Sequence, residues 1–280
     1  MKIINVHAHI WEDQDVDARV AHYSCEGMAR ICVIGASKAR LAMEKYPKLV
    51  IGLGIVFPGE DSLDVIDRYH GEGFAGAKFI CPRAPYDCDE YMPYYEKLLE
   101  HGMVAAFHTG YVSDLGKDTS ILWMHPMTLD RIARRFKELR IIGYHIGNPW
   151  YTDACAMALN FPNVFWDLSG GTVRATPLSY LRHVFSFRTL DNIGPDVLEH
   201  QLFNETVNMA LFRKFCFGTD NPAPVYMMDF MRDLMAALDV APDVQELVWW
   251  RNAARIFGIE KEIGPMPVHT RTSSCEHGAS

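Results

Sequence analysis

The apolar residues of this chain fall into short continuous runs, separated by stretches with helical spacing. Most of the runs lack polar alternation, which is typical of parallel strands buried on both faces. Strand-like runs that alternate with helical patterns predict βαβ units around a parallel sheet. Eight strands are predicted, near residues 2–7, 31–34, 50–56, 75–80, 103–108, 140–145, 164–168 and 215–220.

Eight such units in 280 residues favour a single-domain (β/α)8 TIM barrel over residues 1–260. The competing open, doubly wound sheet is disfavoured because no Gly-rich dinucleotide fingerprint follows the first strand. Residues 170–214 predict an insertion between strands 7 and 8, helical near 179–184 and 197–211. We interpret this insertion as a lid or a homodimer contact. Residues 261–280 lack periodicity, which predicts a flexible C-terminal tail.

The amino-acid composition and net charge indicate what kind of molecule the protein binds. The hydrophobic fraction of 49% is ordinary for a globular protein, and the net charge of −8 argues against nucleic acid or an anionic membrane. Seven scattered cysteines without a Cys-x-x-Cys pair favour a reducing compartment. No run approaches the roughly 20 apolar residues of a membrane span. We therefore expect a cytoplasmic protein that acts on a small-molecule substrate.

Candidate metal ligands stand at the ends of several predicted strands. His7 and His9 leave the first strand on the same face, because side chains at i and i+2 share a face. His108, His145 and Asp220 end three later strands. Strand C-termini meet at one face of a (β/α)8 barrel, where catalytic groups lie. Three histidines and a carboxylate suit a divalent cation such as Zn²⁺, which can activate a bound water.

Other residues near strand ends are candidates for substrate binding. Lys78 lies within the fourth strand, where an unpaired buried lysine is costly. A substrate-binding cation or a packed stem is favoured over a carbamylated ligand that bridges two metals. Arg83 follows that strand and suits a substrate carboxylate, with a solvated loop residue as the alternative. Three further candidates follow strand ends and are predicted to line the pocket: Trp11, Asn148 and Arg174.

The ordered motifs of the chain resemble one known family. They include Asn5-Val6-His7-Ala8-His9, Gly73-Phe74-Ala75-Gly76-Ala77-Lys78, Phe107-His108-Thr109-Gly110, Tyr144-His145-Ile146-Gly147, Asn163-Val164-Phe165-Trp166-Asp167-Leu168-Ser169-Gly170 and Gly218-Thr219-Asp220-Asn221-Pro222. From residue 3 to about residue 259 the chain is similar to the amidohydrolase-2 group of the amidohydrolase superfamily, which includes relatives of aminocarboxymuconate-semialdehyde decarboxylase.

The resemblance implies one divalent metal, usually zinc, held by His7, His9, His108 and Asp220. It also implies that His145 stands beside the metal as an acid/base or carbonyl-polarising group. The family contains hydrolases, lactonases, hydratases and non-oxidative decarboxylases, and some members work without metal. The short chain and the long segment between strands 7 and 8 depart from the family pattern.

Two reactions follow as expectations. The leading one is hydrolysis of a small ester, lactone or amide, in which Asp220 takes the proton of a metal-activated water and His145 stabilises the oxyanion. The alternative is decarboxylation of an unsaturated or aromatic acid, in which His145 protonates carbon and Arg83 or Arg174 holds a carboxylate. A metal-stabilised binding protein is disfavoured, because closed structural sites usually use cysteines.

Overall fold

A parallel eight-stranded barrel forms the centre of the protein. The computed structural model describes residues 1–113, 116–188 and 205–263. The barrel strands follow one another in sequence order around the sheet, and each pairs with its neighbour in parallel. They are β1 (Ile3–His9), β2 (Met28–Gly35), β3 (Val50–Val56), β4 (Gly76–Phe79), β5 (Val104–His108), β6 (Ile141–Tyr144), β7 (Val164–Asp167) and β10 (Phe215–Cys216).

The last strand returns to the first and nearly closes the sheet into a barrel. Beyond β10, the Val6 amide donates to the Phe217 carbonyl at 2.9 Å, and Ala8 forms a parallel bridge with Asp220. The predicted (β/α)8 TIM barrel is confirmed. Because all eight strands run in the same direction, their C-terminal ends meet on one face.

Helices cover the outside of the barrel, and their apolar faces pack on strands that are buried along almost their whole length. β1 is buried at every position, including the polar residues Asn5, His7 and His9. The helices are α1 (Val16–Tyr23), α2 (Ser37–Lys45), α3 (Asp64–Gly71), α4 (Met92–Glu100), α5 (Leu129–Arg135), α6 (Tyr151–Asn160), α7 (Gly171–Arg174), α8 (Leu178–Val184), α9 (Met209–Phe212), α10 (Pro224–Ala237), α11 (Pro242–Glu246), α12 (Asn252–Phe257) and α13 (Glu260–Ile263).

β6 and β10 each end before their predicted limit, and each is followed by a candidate site residue. β6 stops at Tyr144, and His145 begins a short left-handed turn with φ of 63°. β10 stops at Cys216, and Asp220 also has φ of 63°. Left-handed backbone cannot continue a strand, and it is uncommon for residues other than glycine. Both candidate site residues therefore lie on turns just beyond their strands.

The segment between β7 and the last barrel strand differs in part from its prediction. The helix predicted near 179–184 is α8. Within the range 197–211, residues 197–204 lie outside the described residues, and Glu205–Val207 is a strand (β9) that pairs antiparallel with β8 (Ser186–Arg188). Hydrogen bonding to a second strand outweighs helical spacing there, and among the described residues of this range the helical ones are 209–211, the start of α9.

Three residues of the predicted tail lie among the described residues. Residues 261–263 belong to α13, and the Lys2 ammonium donates to the Ile263 carbonyl at 2.6 Å. Residues 264–280 lie outside the described residues. Across the described ranges, no helix combines the length and apolar character needed to cross a bilayer.

Candidate active site

Three side chains converge at the C-terminal face of the barrel. The Nε2 atoms of His7 and His9 are 3.1 Å apart, because both residues project from the same face of β1. Asp220 brings its Oδ1 to 3.6 Å from Nε2 of His7 and 3.5 Å from Nε2 of His9. The two imidazoles are buried, and burial lowers the pKa of each well below its ordinary value. Both rings are therefore neutral at pH 7, with lone pairs available.

Contacts to Nδ1 and to the ring face fix the orientation of the His7 imidazole. Its Nδ1 lies 2.9 Å from Oδ2 of Asp167 and 2.8 Å from Oγ of Ser169, and its ring stacks on Tyr144 at 3.9 Å. Nδ1–H donates to this carboxylate, so Nε2 keeps its lone pair toward His9 and Asp220. Nδ1 of His9 has no hydrogen-bond partner among the described residues. His7 is therefore the more firmly oriented of the two.

These donors match the requirements of a divalent metal ion. Ligands at about 2.0–2.2 Å from a tetrahedral ion lie roughly 3.3–3.6 Å from one another, and the three separations above are 3.1, 3.5 and 3.6 Å. A carboxylate behind a ligating histidine is also the usual support for such a site. His7, His9 and Asp220 thus fit a metal ion.

Lys78 points into the same cluster. Its Nζ lies 2.9 Å from Nε2 of His7 and 3.0 Å from Nε2 of His9. The side chain is buried, and burial lowers the pKa of Lys78 to about 8, although the charges of Asp220 and Asp167 oppose that shift. The ammonium and a metal ion therefore compete for the same two lone pairs.

His108 and His145 lie on the other side of the cluster, with ring centroids 4.7 Å apart. Nδ1 of His145 lies 3.2 Å from both the carbonyl and the hydroxyl of Ser169, so its remaining nitrogen, Nε2, is available for proton transfer. His108 donates from Nε2 to the Tyr111 carbonyl at 3.0 Å. Among the described residues, potential metal ligands form groups in which the ligand atoms lie within 4.8 Å of one another, and His108 belongs to none of these groups. Its assignment as fourth ligand stays a prediction.

A cavity of about 370 Å³ opens over these groups. Of the predicted substrate-binding residues, Trp11 and Lys78 line it, as do His9, His108, His145 and Asp220. Trp11 stacks on His9 with centroids 4.7 Å apart and an interplanar angle of 3°. The described lining also includes Ile80, Tyr111, Val112, Ser113, Gly170, Gly171, Thr172 and Asn221.

The other three predicted substrate-binding residues are outside this described lining. Arg83 is 54% exposed and pairs with Glu60 at 3.4 Å, as expected of a solvated loop residue. Arg174 is exposed and lies over the Tyr226 ring. Asn148 contacts a residue of the lining, since its Nδ2 donates to Oγ1 of Thr172 at 2.7 Å. Lys78 is therefore the one Lys or Arg in the described lining.

Asp167 and Ser169 are functional candidates that sequence reasoning missed. Asp167 is fully buried, and besides contacting His7 it accepts a 2.7 Å hydrogen bond from the His145 amide. Its carboxylate approaches the backbone so closely that a Cβ at Gly218 would lie 2.4 Å from Oδ2. The missed signal was positional, because Asp167 ends the seventh strand and carboxylates at barrel strand ends are candidate site residues.

Comparison with known proteins assigns the family. The amidohydrolase family model matches residues 29–259, so this chain belongs to that family. His7 and His9 precede the matched region, and their assignment rests on the geometry above. No curated protein sequence gives a significant match to this chain.

Solved structures with the same fold include lyases and a hydrolase. A 2,6-dihydroxybenzoate decarboxylase from Rhizobium is 13% identical, with a TM-score of 0.62 over 92% of this chain and 99% of that one. A 5-carboxyvanillate decarboxylase from Novosphingobium aromaticivorans, complexed with manganese, is 16% identical, with a TM-score of 0.60 over 92% and 96%. A probable 2-pyrone-4,6-dicarboxylic acid hydrolase from Acinetobacter baumannii is 14% identical, with a TM-score of 0.61 over 92% and 100%. At these identities the likeness shows the fold.

Proposed function

We propose that this protein is a metal-dependent, non-oxidative decarboxylase of a planar unsaturated or aromatic carboxylic acid. The observation that carries the proposal is the buried Lys78 ammonium in the same cavity as a His/His/Asp donor set. A lysine beside a metal site provides two cationic groups, the ammonium and the metal ion, for one carboxylate. The decarboxylases among the fold neighbours favour this reaction over hydrolysis, which the sequence alone ranked first.

His7, His9 and Asp220 would hold the ion, with zinc as the proposed metal and manganese, present in one neighbour, as the alternative. A bound divalent ion would supply Lewis-acid charge to polarise the substrate. Lys78 would bind the substrate carboxylate by a charge-assisted hydrogen bond. Because Asp167 and Ser169 restrain His7 and His145, the two imidazoles would keep their positions when substrate enters.

His145 would perform the proton transfer. A proton carried on its Nε2 would pass to the carbon that bears the carboxylate, the bond from that carbon to the carboxylate would then break, and carbon dioxide would leave. The electron pair of the broken bond would restore the unsaturated system. The substrate carbon thus exchanges carbon dioxide for one proton, and His145 would take up a proton from solvent water before the next turnover. Trp11, which stacks on His9 and lines the cavity, would give a planar ring an aromatic surface, and Ile80 and Val112 would limit water beside it.

Hydrolysis of a lactone or ester is the second candidate. It is favoured by Asp220, whose carboxylate lies beside His7 and His9 and could accept a proton from a water molecule there, and by the hydrolase among the fold neighbours. In that reaction His145 would stabilise the oxyanion.

The six described cysteines are all free thiols, which supports the proposed cytoplasmic location.

Product analysis separates the two candidates. The protein is loaded with Zn²⁺ or Mn²⁺ and incubated with a panel of hydroxylated benzoates and unsaturated acids and with a panel of lactones and esters. We expect release of carbon dioxide from the first panel, and loss of that release in Lys78→Met. Turnover of the second panel without carbon dioxide release would reject the decarboxylase.

A further inference from the structure

Tyr23 joins the backbone of two proposed metal ligands. It is the last residue of α1, it is fully buried, and its hydroxyl lies at the junction between the first and last barrel strands. The hydroxyl oxygen is 3.2 Å from both the amide nitrogen and the carbonyl oxygen of His9, and 3.0 Å from the carbonyl oxygen of Asp220.

The donors around this hydroxyl define the direction of each bond. The His9 amide and the Arg19 guanidinium both donate to the phenol oxygen. The single phenol hydrogen is therefore free to donate to the Asp220 carbonyl, the shorter of its two carbonyl contacts. Arg19 also donates from Nη2 to the His9 carbonyl at 3.3 Å, and its guanidinium lies 4.6 Å from the centroid of the Tyr23 ring.

Asp220 needs such support because its backbone is strained. Its φ of 63° lies in the left-handed region, which is unfavourable for a residue with a side chain. On one side its amide donates to the His7 carbonyl at 2.8 Å. On the other side its carbonyl accepts from Tyr23. The two bonds hold the residue in the turn that brings its carboxylate to His7 and His9.

We propose that Tyr23 is a positioning residue for the metal site. Its hydroxyl holds Asp220 in the left-handed turn and ties that turn to His9, so it sets the affinity of the site for the metal without touching the ion. This inference rests on the metal site in the proposed function, but it does not depend on which reaction the site catalyses.

The test compares two variants that each delete one buried phenol hydroxyl. In Tyr23→Phe the bond to Asp220 is lost. In the control Tyr69→Phe the lost bond runs from a buried phenol to the Ile55 carbonyl at 2.8 Å, and Ile55 is outside the described cavity lining. The dissociation constants for Zn²⁺ and Mn²⁺ are measured calorimetrically on metal-free protein, without substrate, and thermal unfolding is recorded for each variant.

We expect Tyr23→Phe to raise the metal dissociation constant about tenfold or more, as other residues that support metal ligands do, and Tyr69→Phe to leave it within twofold. Equal affinities in wild type and a folded Tyr23→Phe would overturn the proposal. If Tyr23→Phe does not fold, replacement of Tyr23 by 4-fluorophenylalanine decides the question. That residue fills the space of the hydroxyl but cannot donate to the Asp220 carbonyl, and unchanged affinity would then reject the positioning role.

The outcomes separate this inference from the proposed function. Tight metal binding that Tyr23→Phe weakens, in a protein that releases no carbon dioxide, rejects the decarboxylase and retains the role of Tyr23. Carbon dioxide release with metal affinity that Tyr23→Phe does not change rejects the role of Tyr23 alone. A wild-type protein that takes up no metal rejects both.

Discussion

Nδ1 of His7 lies 2.9 Å from Oδ2 of Asp167, and both side chains are completely buried. Burial raises the pKa of Asp167, while its contacts with His145 and Ser169 oppose that shift. The carboxylate accepts from the His7 ring with one oxygen and from the His145 amide with the other. One side chain from the seventh strand therefore restrains histidines from the first and sixth strands.

Asp167→Asn is expected to weaken metal binding by about 10- to 100-fold, because the amide can donate toward Nδ1 and favour the tautomer whose Nε2 carries the proton. Calorimetric titration with Zn²⁺ measures the effect. Asp153→Asn is the control, since Asp153 is a partly exposed carboxylate on α6 that pairs with His125 at 3.5 Å. Unchanged affinity in Asp167→Asn would show that Tyr144 stacking and Ser169 alone orient His7.

His9→Ala is expected to abolish stoichiometric metal binding, because it removes one of the three donors that fit the ion. Elemental analysis of purified wild type should give about one divalent ion per chain. The matched control is His70→Ala, in which an exposed histidine that stacks on His101 is removed. Full metal content in His9→Ala would show that His9 is not a ligand and that the metal binds elsewhere.

His145→Ala is expected to retain metal and to lose turnover by about 10² to 10⁴, the usual range for a general acid or base. The reason is geometric, since His7, His9 and Asp220 form a group of three donors without it, while His145 belongs to a second group, with His7 and Asp167. Metal content and single-turnover rates are measured on the same preparation. If metal is lost in proportion to activity, His145 is a ligand and another group supplies the proton.

Lys78→Met is expected to raise KM for a carboxylate substrate at least tenfold, because it removes the cation of the described lining. It should also tighten metal binding, since the ammonium no longer competes for Nε2 of His7 and His9. In the metal-free protein, binding of a carboxylate should weaken as the pH rises through about 8, where Lys78 loses its proton. Arg83→Met is the control, and an equal effect there would contradict the role of Lys78.

The described cysteines are expected to react slowly with thiol reagents at pH 8 in the folded protein. Burial raises the pKa of the thiols, to about 12 for Cys155 and about 11 for Cys88, so little thiolate forms. The others with raised pKa are Cys25, Cys32, Cys81 and Cys216. Labelling followed by peptide mapping checks this, and rapid modification of any of the six would contradict the structure.

The sequence by itself determined the barrel and most of the candidate site. Continuous apolar runs that alternate with helical spacing can be buried only as parallel strands covered by helices, and the position of His7, His9 and Asp220 near strand ends then places them on one face. Such information is local and periodic, and it can be read without coordinates.

Only the tertiary structure decided which polar groups meet. Asp167 contacts His7 across 160 residues, and the Tyr23 hydroxyl reaches Asp220 across 197 residues. The left-handed turns at His145 and Asp220 likewise depend on neighbours that are distant in sequence. The same is true of Arg83, which pairs with Glu60 and is outside the described lining of the cavity. Side-chain direction at strand ends is set by contacts between elements, and these have no periodic signature in the chain.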